Sequence, residues 1–180
     1  MTLKPWKVLE STRLQGPVRI DRCELPNGLI LDATVLDYRD WVTVLALTRK
    51  QEAVLIRQYR HGAGRVIEEL PGGTMDVEDA SPLETARREL REETGYTSEN
   101  FIQIGCVSPN PANQTNRIYS FLALEAEATA AQDLDEGEEI EVLLKPFEEL
   151  VRMARDGELL QSMQVSAVFF ALSHLKRIQA

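Results

Sequence analysis

A mixed α/β sandwich, not a doubly wound parallel sheet, is the fold class this sequence predicts. Short β-prone runs come both before and after one strongly signalled central helix. Two further amphipathic helices close the chain, so strands and helices do not alternate in βαβ fashion. At 180 residues the length suits one domain with a small appendage. A chain of that size buries roughly 70% of the surface its unfolded form exposes, so it needs no disulfide or structural zinc.

Each element has its own signal. Val18 to about Glu24 alternates apolar and polar, Pro26-Asn27-Gly28 is strong turn punctuation, and Leu29–Leu36 reads as a returning strand. Residues 1–38 are therefore expected to form an N-terminal β-hairpin extension ahead of a main domain at 39–180. Val42–Leu47 and Ala53–Ile56, the latter continuing to Arg60, are β-prone runs joined by Lys50-Gln51-Glu52. The central helix has Ser81 at the N-cap, Pro82 at the first position and Glu84 at the third, a capping box. Leu83, Ala86, Leu90 and Thr94 form its inward stripe, and Gly95 stops it. Phe101–Val107 and Arg117–Leu124 are the next strands. Ala126–Glu139 is acidic, poor in large apolar residues, and reads as an exposed, mobile loop. Ile140–Leu144 is the last expected strand, and Phe147–Arg155 and about Ser162–Ile178 are the expected helices.

Composition excludes several function classes. The net charge of -9, from 29 acidic and 20 basic residues, opposes non-specific nucleic-acid binding. No segment has the apolar length to span a bilayer, and the N-terminal stretch shows no targeting signal. Cys23 and Cys106 are far apart and fit no zinc spacing, as expected of a cytoplasmic protein with reduced thiols. His61 and His174 are too few and too isolated to build a histidine metal site.

The chemistry-bearing stretch is Gly72-Gly73 followed by Arg88-Glu89-Leu90-Arg91-Glu92-Glu93-Thr94-Gly95-Tyr96. Glu89, Glu92 and Glu93 stand at i, i+3 and i+4 and project from nearly one helical face. Like charges so spaced repel. Oxygen-only ligands in a tight group suit Mg²⁺ and Mn²⁺, which remove the penalty. The competing reading is a solvated face paired with Arg87, Arg88 and Arg91.

Leu70-Pro71-Gly72-Gly73, the Ser81-Pro82 helix start and the Arg88–Tyr96 run together resemble the Nudix hydrolases. Their box is a glycine, five residues, a glutamate, seven residues, then Arg-Glu-aliphatic-any-Glu-Glu-any-Gly-aliphatic. Its second half is matched at every defined position, with Tyr96 in the last place. The first half departs: the loop is one residue longer, and the glutamate position falls on Asp79 or Ala80, with Asp79 the candidate substitute. Arg57-Gln58-Tyr59-Arg60-His61-Gly62, Glu68–Gly73 and Pro111 resemble the branch containing ADP-ribose pyrophosphatases and nucleoside diphosphate sugar hydrolases.

That resemblance implies a Nudix-type α/β/α sandwich with a mixed sheet, dimeric through exchanged N-terminal strands. It also implies Mg²⁺-dependent hydrolysis of ADP-ribose or another nucleoside diphosphate sugar. By the same resemblance, Glu89 and Glu93 are the principal metal ligands, Glu92 serves a second ion, and the Gly72 carbonyl adds an oxygen. Arg88 pairs with a neighbouring carboxylate to orient the cluster. A glutamate of the loop before the last strand serves as general base, Glu138 first and Glu136 next. Arg60 is the candidate phosphate contact, since a guanidinium fork matches phosphoryl oxygens, with Arg57 behind it; an exposed strand-end arginine is the alternative. Trp41 is a candidate to stack on the base, or else belongs to the core or a dimer interface. Glu69 is either an outer partner of the metal site or simply exposed. The rival functions are a module that senses sugar nucleotides without cleaving them, and hydrolysis of dinucleoside polyphosphates, dinucleotide cofactors or capped RNA.

Overall fold

A computed structural model describes residues 4–178; the ends of the predicted N-terminal extension and of the chain, residues 1–3 and 179–180, lie outside the described residues. The chain divides into two units, one running to Arg39 and taking in Ser108–Arg117, the other comprising Asp40–Val107 and the chain from Ile118 onward.

The first unit is a three-stranded antiparallel sheet in the order β1 (Lys7–Arg13), β2 (Val18–Glu24), β3 (Ile30–Leu36). The predicted hairpin is β2–β3, turning through Asn27, whose side-chain oxygen accepts the Leu29 N–H. The sequence reading missed β1. Every residue of that strand is exposed, so no buried face imposed an apolar alternation on it. Within this unit Asp37 accepts hydrogen bonds from Arg13 and Thr115 and pairs with Arg19.

The second unit is the expected sandwich. Its strands are β4 (Trp41–Leu47), β5 (Glu52–Arg60), β6 (Arg65–Glu69), a short β7 (Tyr96–Thr97), β8 (Asn100–Val107), β9 (Ile118–Leu124), a short β10 (Glu127–Ala128) and β11 (Glu141–Pro146). The main sheet runs β11-β5-β4-β9-β8, with β6 also on β5. Only β4–β9 is parallel among its pairs, so the sheet is mixed. β6 also escaped the sequence reading, being short and half charged; it is held by its five-residue register against β5.

The apolar runs at 42–47 and 53–56 do not alternate in polarity because both faces of the sheet are covered. Period two then sorts the side chains. Val42, Val44, Ala46, Val54, Phe121 and Ala123 pack on Ala86 and Leu90 of helix α1 (Pro82–Thr94). Leu45, Leu47, Ala53, Leu55 and Leu122 pack on α2 (Phe147–Asp156) and α3 (Ser162–His174), against Phe147, Leu150, Met153, Ala167, Val168 and Ala171. Among the described residues no helix is long and apolar enough to cross a membrane.

The segment read as a mobile acidic loop is corrected in its first half. Ala126 is buried, β10 pairs with β7, and the backbone of 129–133 is hydrogen-bonded to the end of α1. The end of a helix leaves carbonyls without intrahelical partners, and this loop supplies donors to them. Thr129 and Ala130 donate to the Gly95 carbonyl, Asp133 to that of Glu92, and the Gln132 side chain to that of Glu93.

The start of α1 is as predicted: Ser81 is extended and its hydroxyl accepts the Glu84 N–H at 3.3 Å. Replacing Ser81 with Ala is expected to cost about 1 kcal/mol of stability, read as a lower midpoint in urea with an unchanged slope.

Candidate active site

Chain segments on the α1 side of the sheet enclose a cleft of about 300 Å³. Its floor is the run Pro71-Gly72-Gly73-Thr74. The Pro71 carbonyl accepts from Val44 N–H and the Gly73 carbonyl from Val42 N–H, both at 2.9 Å, so the run lies extended along β4. Backbone direction alternates in an extended chain, which turns the N–H and C=O of Gly72 away from β4 and toward α1. That N–H donates to Glu93 Oε2 at 2.7 Å. Gly72 has φ +152°, and a Cβ there would run into the Val42 carbonyl and lie 2.9 Å from Thr43 Cα, so the close approach requires glycine. At Gly73 a Cβ would occupy the space of the Glu89 carboxylate. Gly72 thus lets the run lie against β4 with its N–H on Glu93, and Gly73 makes room for Glu89.

Glu89, Glu92 and Glu93 all line this cleft, as their helical spacing foretold. Glu93 is 4% exposed; burial pushes its carboxyl up to about 8, against the Gly72 N–H and with repulsion from Glu89 and Glu138 adding. Burial likewise pushes Glu89 up to about 7, with Arg88 opposing. Arg88 is the hub of the outer cluster. It contacts Glu92 at 2.9 Å and Glu89 at 3.0 Å, and grips Asp79 through Nε at 3.2 Å and Nη2 at 3.0 Å. Asp79 also accepts from Thr85 Oγ1 and the Asp76 N–H. Chiefly through Arg88, its carboxyl is held down at about 2. The extended box loop therefore ends with an aspartate in the grip of the box arginine.

The opposite wall carries Trp41, Gln58 and Arg60, and the loop before β11 contributes Asp133, Asp135 and Glu138. The Glu138 carboxylate accepts the Asp135 N–H at 3.2 Å, while its own N–H closes the turn onto the Asp135 carbonyl. The Trp41 indole N–H is buried and has no hydrogen-bond partner among the described residues.

Two sequence-selected residues do not line the cleft. Arg57 is one step out of phase with Gln58 and Arg60 on β5, so alternation sends it to the other face, where it pairs with Glu68 and Glu141. Glu136 lies in the exposed turn beside Gly137. Conversely, sequence reasoning did not single out Gln58, Thr74 or Asp76 for the site, and took Asp133 and Asp135 only as members of the loop carrying the candidate base. Period two from Arg60 finds Gln58; the others sit on loops with no period to read.

The donor set fits a hard divalent cation. It is all oxygen, and two of its carboxylates are buried deeply enough that their charge is costly without a cation. The Gly72 carbonyl stands on the same side as its Glu93-bound N–H. The carboxylates are not gathered into a coordination sphere among the described residues, because Arg88 lies between Glu89 and Glu92. Glu89, Glu93, Glu92 and the Gly72 carbonyl are the groups that would hold an ion.

Comparison with known proteins establishes the family and the fold. Residues 37–163 match the NUDIX domain family. The chain is 29% identical over 150 residues to an ADP-ribose pyrophosphatase of Bacillus subtilis, covering 83% of this chain and 80% of the relative. It is 32% identical over 152 residues to a GDP-mannose pyrophosphatase of an Enterobacter species, covering 74% and 78%. A crystal structure described as an ADP compounds hydrolase superposes with a TM-score of 0.86 at 21% identity, covering 98% of this chain and 97% of that one, which shows the shared fold.

The raised carboxyls set a pH dependence. Above the ordinary carboxylate range the folded protein holds protons that the unfolded chain has released, on Glu89 up to about 7 and on Glu93 up to about 8. Stability of the metal-free protein should therefore fall as pH rises from 5 to 9, and MgCl₂ should raise the melting temperature more at pH 8.5 than at pH 6. Thermal melts at several pH values with and without MgCl₂ check this; a magnesium effect independent of pH would contradict it.

Proposed function

The chain belongs to the NUDIX family and is an enzyme acting on phosphoanhydride bonds, and from that premise we propose that it hydrolyses ADP-ribose or another nucleoside diphosphate sugar with Mg²⁺ or Mn²⁺. The products are a nucleoside monophosphate and a sugar phosphate. The observation that carries this reading is the convergence of buried Glu89 and Glu93 with Gly72 in one cleft, faced by Arg60. The two relatives, named for ADP-ribose and GDP-mannose, support a sugar nucleotide as the substrate class.

A bound divalent cation supplies charge neutralisation at the phosphoryl oxygens and a lowered pKa for water. In this reading Glu89 and Glu93, with the Gly72 carbonyl, are its ligands, and Glu92 serves a second ion. Arg88 and Asp79 fix Glu92 and Glu89 from behind. Arg60 binds the diphosphate through its terminal nitrogens. Glu138 takes the proton of the attacking water, whose oxygen bonds to one phosphorus as the bridging P–O bond breaks. Its place in the cleft, close enough to raise both buried glutamates, favours it over Glu136. Trp41 supplies the aromatic surface available to the base.

Glu89, Glu92 and Glu93 are all retained and line the cleft, which favours catalysis over mere sensing. A homodimer through the first unit is part of the proposal, since that unit exposes Val8, Leu9 and Ile30 on its strands and Trp6 and Leu29 beside them. A cytoplasmic location agrees with the free Cys23 and Cys106.

A panel of nucleoside diphosphate sugars incubated with MgCl₂, with products identified by chromatography, tests the reaction. Glu89→Gln should lower kcat by a factor on the order of 10³ with the fold intact. Glu138→Gln should cost far more than Glu136→Gln. An active Glu89→Gln enzyme would remove the metal assignment, and equal losses at 138 and 136 would remove the loop base.

A further inference from the structure

Glu69 is fully buried, yet it carries a carboxylate one residue from Glu68, which meets Arg57 and Lys145 nearer the surface. A buried charge is retained at a cost unless its oxygens are fully partnered. Glu69 Oε2 accepts from Arg60 Nε at 2.6 Å. Its Oε1 accepts from the side-chain amide of Gln161, the N-cap residue of α3. The next residue is clamped from the same helix. Gln164, 3% exposed, accepts the Leu70 N–H at 3.0 Å and donates to the Leu70 carbonyl at 3.3 Å. The first turn of α3 therefore fixes both residues immediately preceding Pro71-Gly72-Gly73.

The consequence falls on Arg60. Glu69 takes its Nε, while the two terminal nitrogens have no hydrogen-bond partner among the described residues and the side chain lines the cleft. A guanidinium held at Nε retains its end-on fork for a bidentate anion, an arrangement no lysine reproduces. We propose that Glu69 is a positioning residue: braced by Gln161, it aims the free fork of Arg60 at the substrate diphosphate. This rests on the reading of Arg60 as the diphosphate contact. It places the role of Glu69 with the arginine and not with the metal ligands.

A double-mutant cycle separates this role from a merely structural one. kcat and KM for ADP-ribose with MgCl₂ are measured for the wild-type, Glu69→Gln, Arg60→Ala and the double variant. Arg60→Ala should lower kcat/KM by about 10²-fold and Glu69→Gln by about 10-fold, both in the same kinetic parameter. In the Arg60→Ala background, Glu69→Gln should add less than twofold. An equal Glu69→Gln loss in both backgrounds overturns the proposal, and so does an Arg60→Ala enzyme with unchanged kinetics.

A second measurement needs no turnover. In ¹⁵N-labelled protein the Arg60 Nε–H resonance, assigned by its loss in Arg60→Ala, should be shifted downfield and protected from exchange. Glu69→Gln should move it upfield and speed its exchange; an unmoved resonance overturns the proposal. Should the wild-type cleave no nucleoside diphosphate sugar, the substrate reading fails by itself, and this resonance still decides whether Glu69 orients Arg60.

Discussion

The hydrogen bond from the Gly72 N–H to Glu93 is the constraint on which the rest of the site depends. It joins the extended run beside β4, the floor of the cleft, to the last turn of α1, the helix that carries the glutamates. Because Pro71 and Gly73 spend their carbonyls on β4, the alternate residues turn toward the helix: the Gly72 N–H meets Glu93, and the Thr74 carbonyl accepts from Arg88 at 3.4 Å. A side chain at 72 would strike the β4 backbone, which cannot yield as a flexible side chain could. The sheet therefore sets where the floor lies, and the floor sets where Glu93 stops.

Around that bond the charges are arranged in two zones. Glu89 and Glu93 lie inside, where burial raises both carboxyls and leaves them receptive to a cation. Outside, Arg88 draws in Asp79 and Glu92, so that part of the cluster is neutralised within the protein. The cost of crowding acidic groups on one helix face is thus only partly offset by arginine, and the remainder is concentrated at the inner pair. The loop that follows α1 belongs to the same economy of unsatisfied groups: terminal carbonyls of the helix need donors, and the segment that supplies them carries Asp133, Asp135 and Glu138 to the rim.

Much of this was legible from residue order because it depends on local periodicity. Ser81-Pro82 and Gly95 bound the helix, the i, i+3, i+4 spacing puts three carboxylates together, and unbroken apolar runs announce a sheet covered on both sides. What was misread had no such period. β1 carries no buried face, β6 is short and charged, and the stretch 126–133 lacks large apolar groups although its backbone is tied to α1. The sequence reading placed Arg57 and Arg60 in one site, but strand alternation from a single fixed point sends them to opposite faces.

The order of residues by itself determined the family, the sandwich class, the helix ends and the acidic face, since each is written in contiguous motifs or in the order of elements along the chain. Only the tertiary structure decided that Asp79 is gripped by Arg88, that Glu69 is buried against Arg60 and Gln161, and that Glu138 and not Glu136 reaches the cleft. Those contacts join side chains from different elements, Gln161 and Glu69 standing 92 positions apart. Their geometry follows from how sheet and helices pack, which no local pattern encodes.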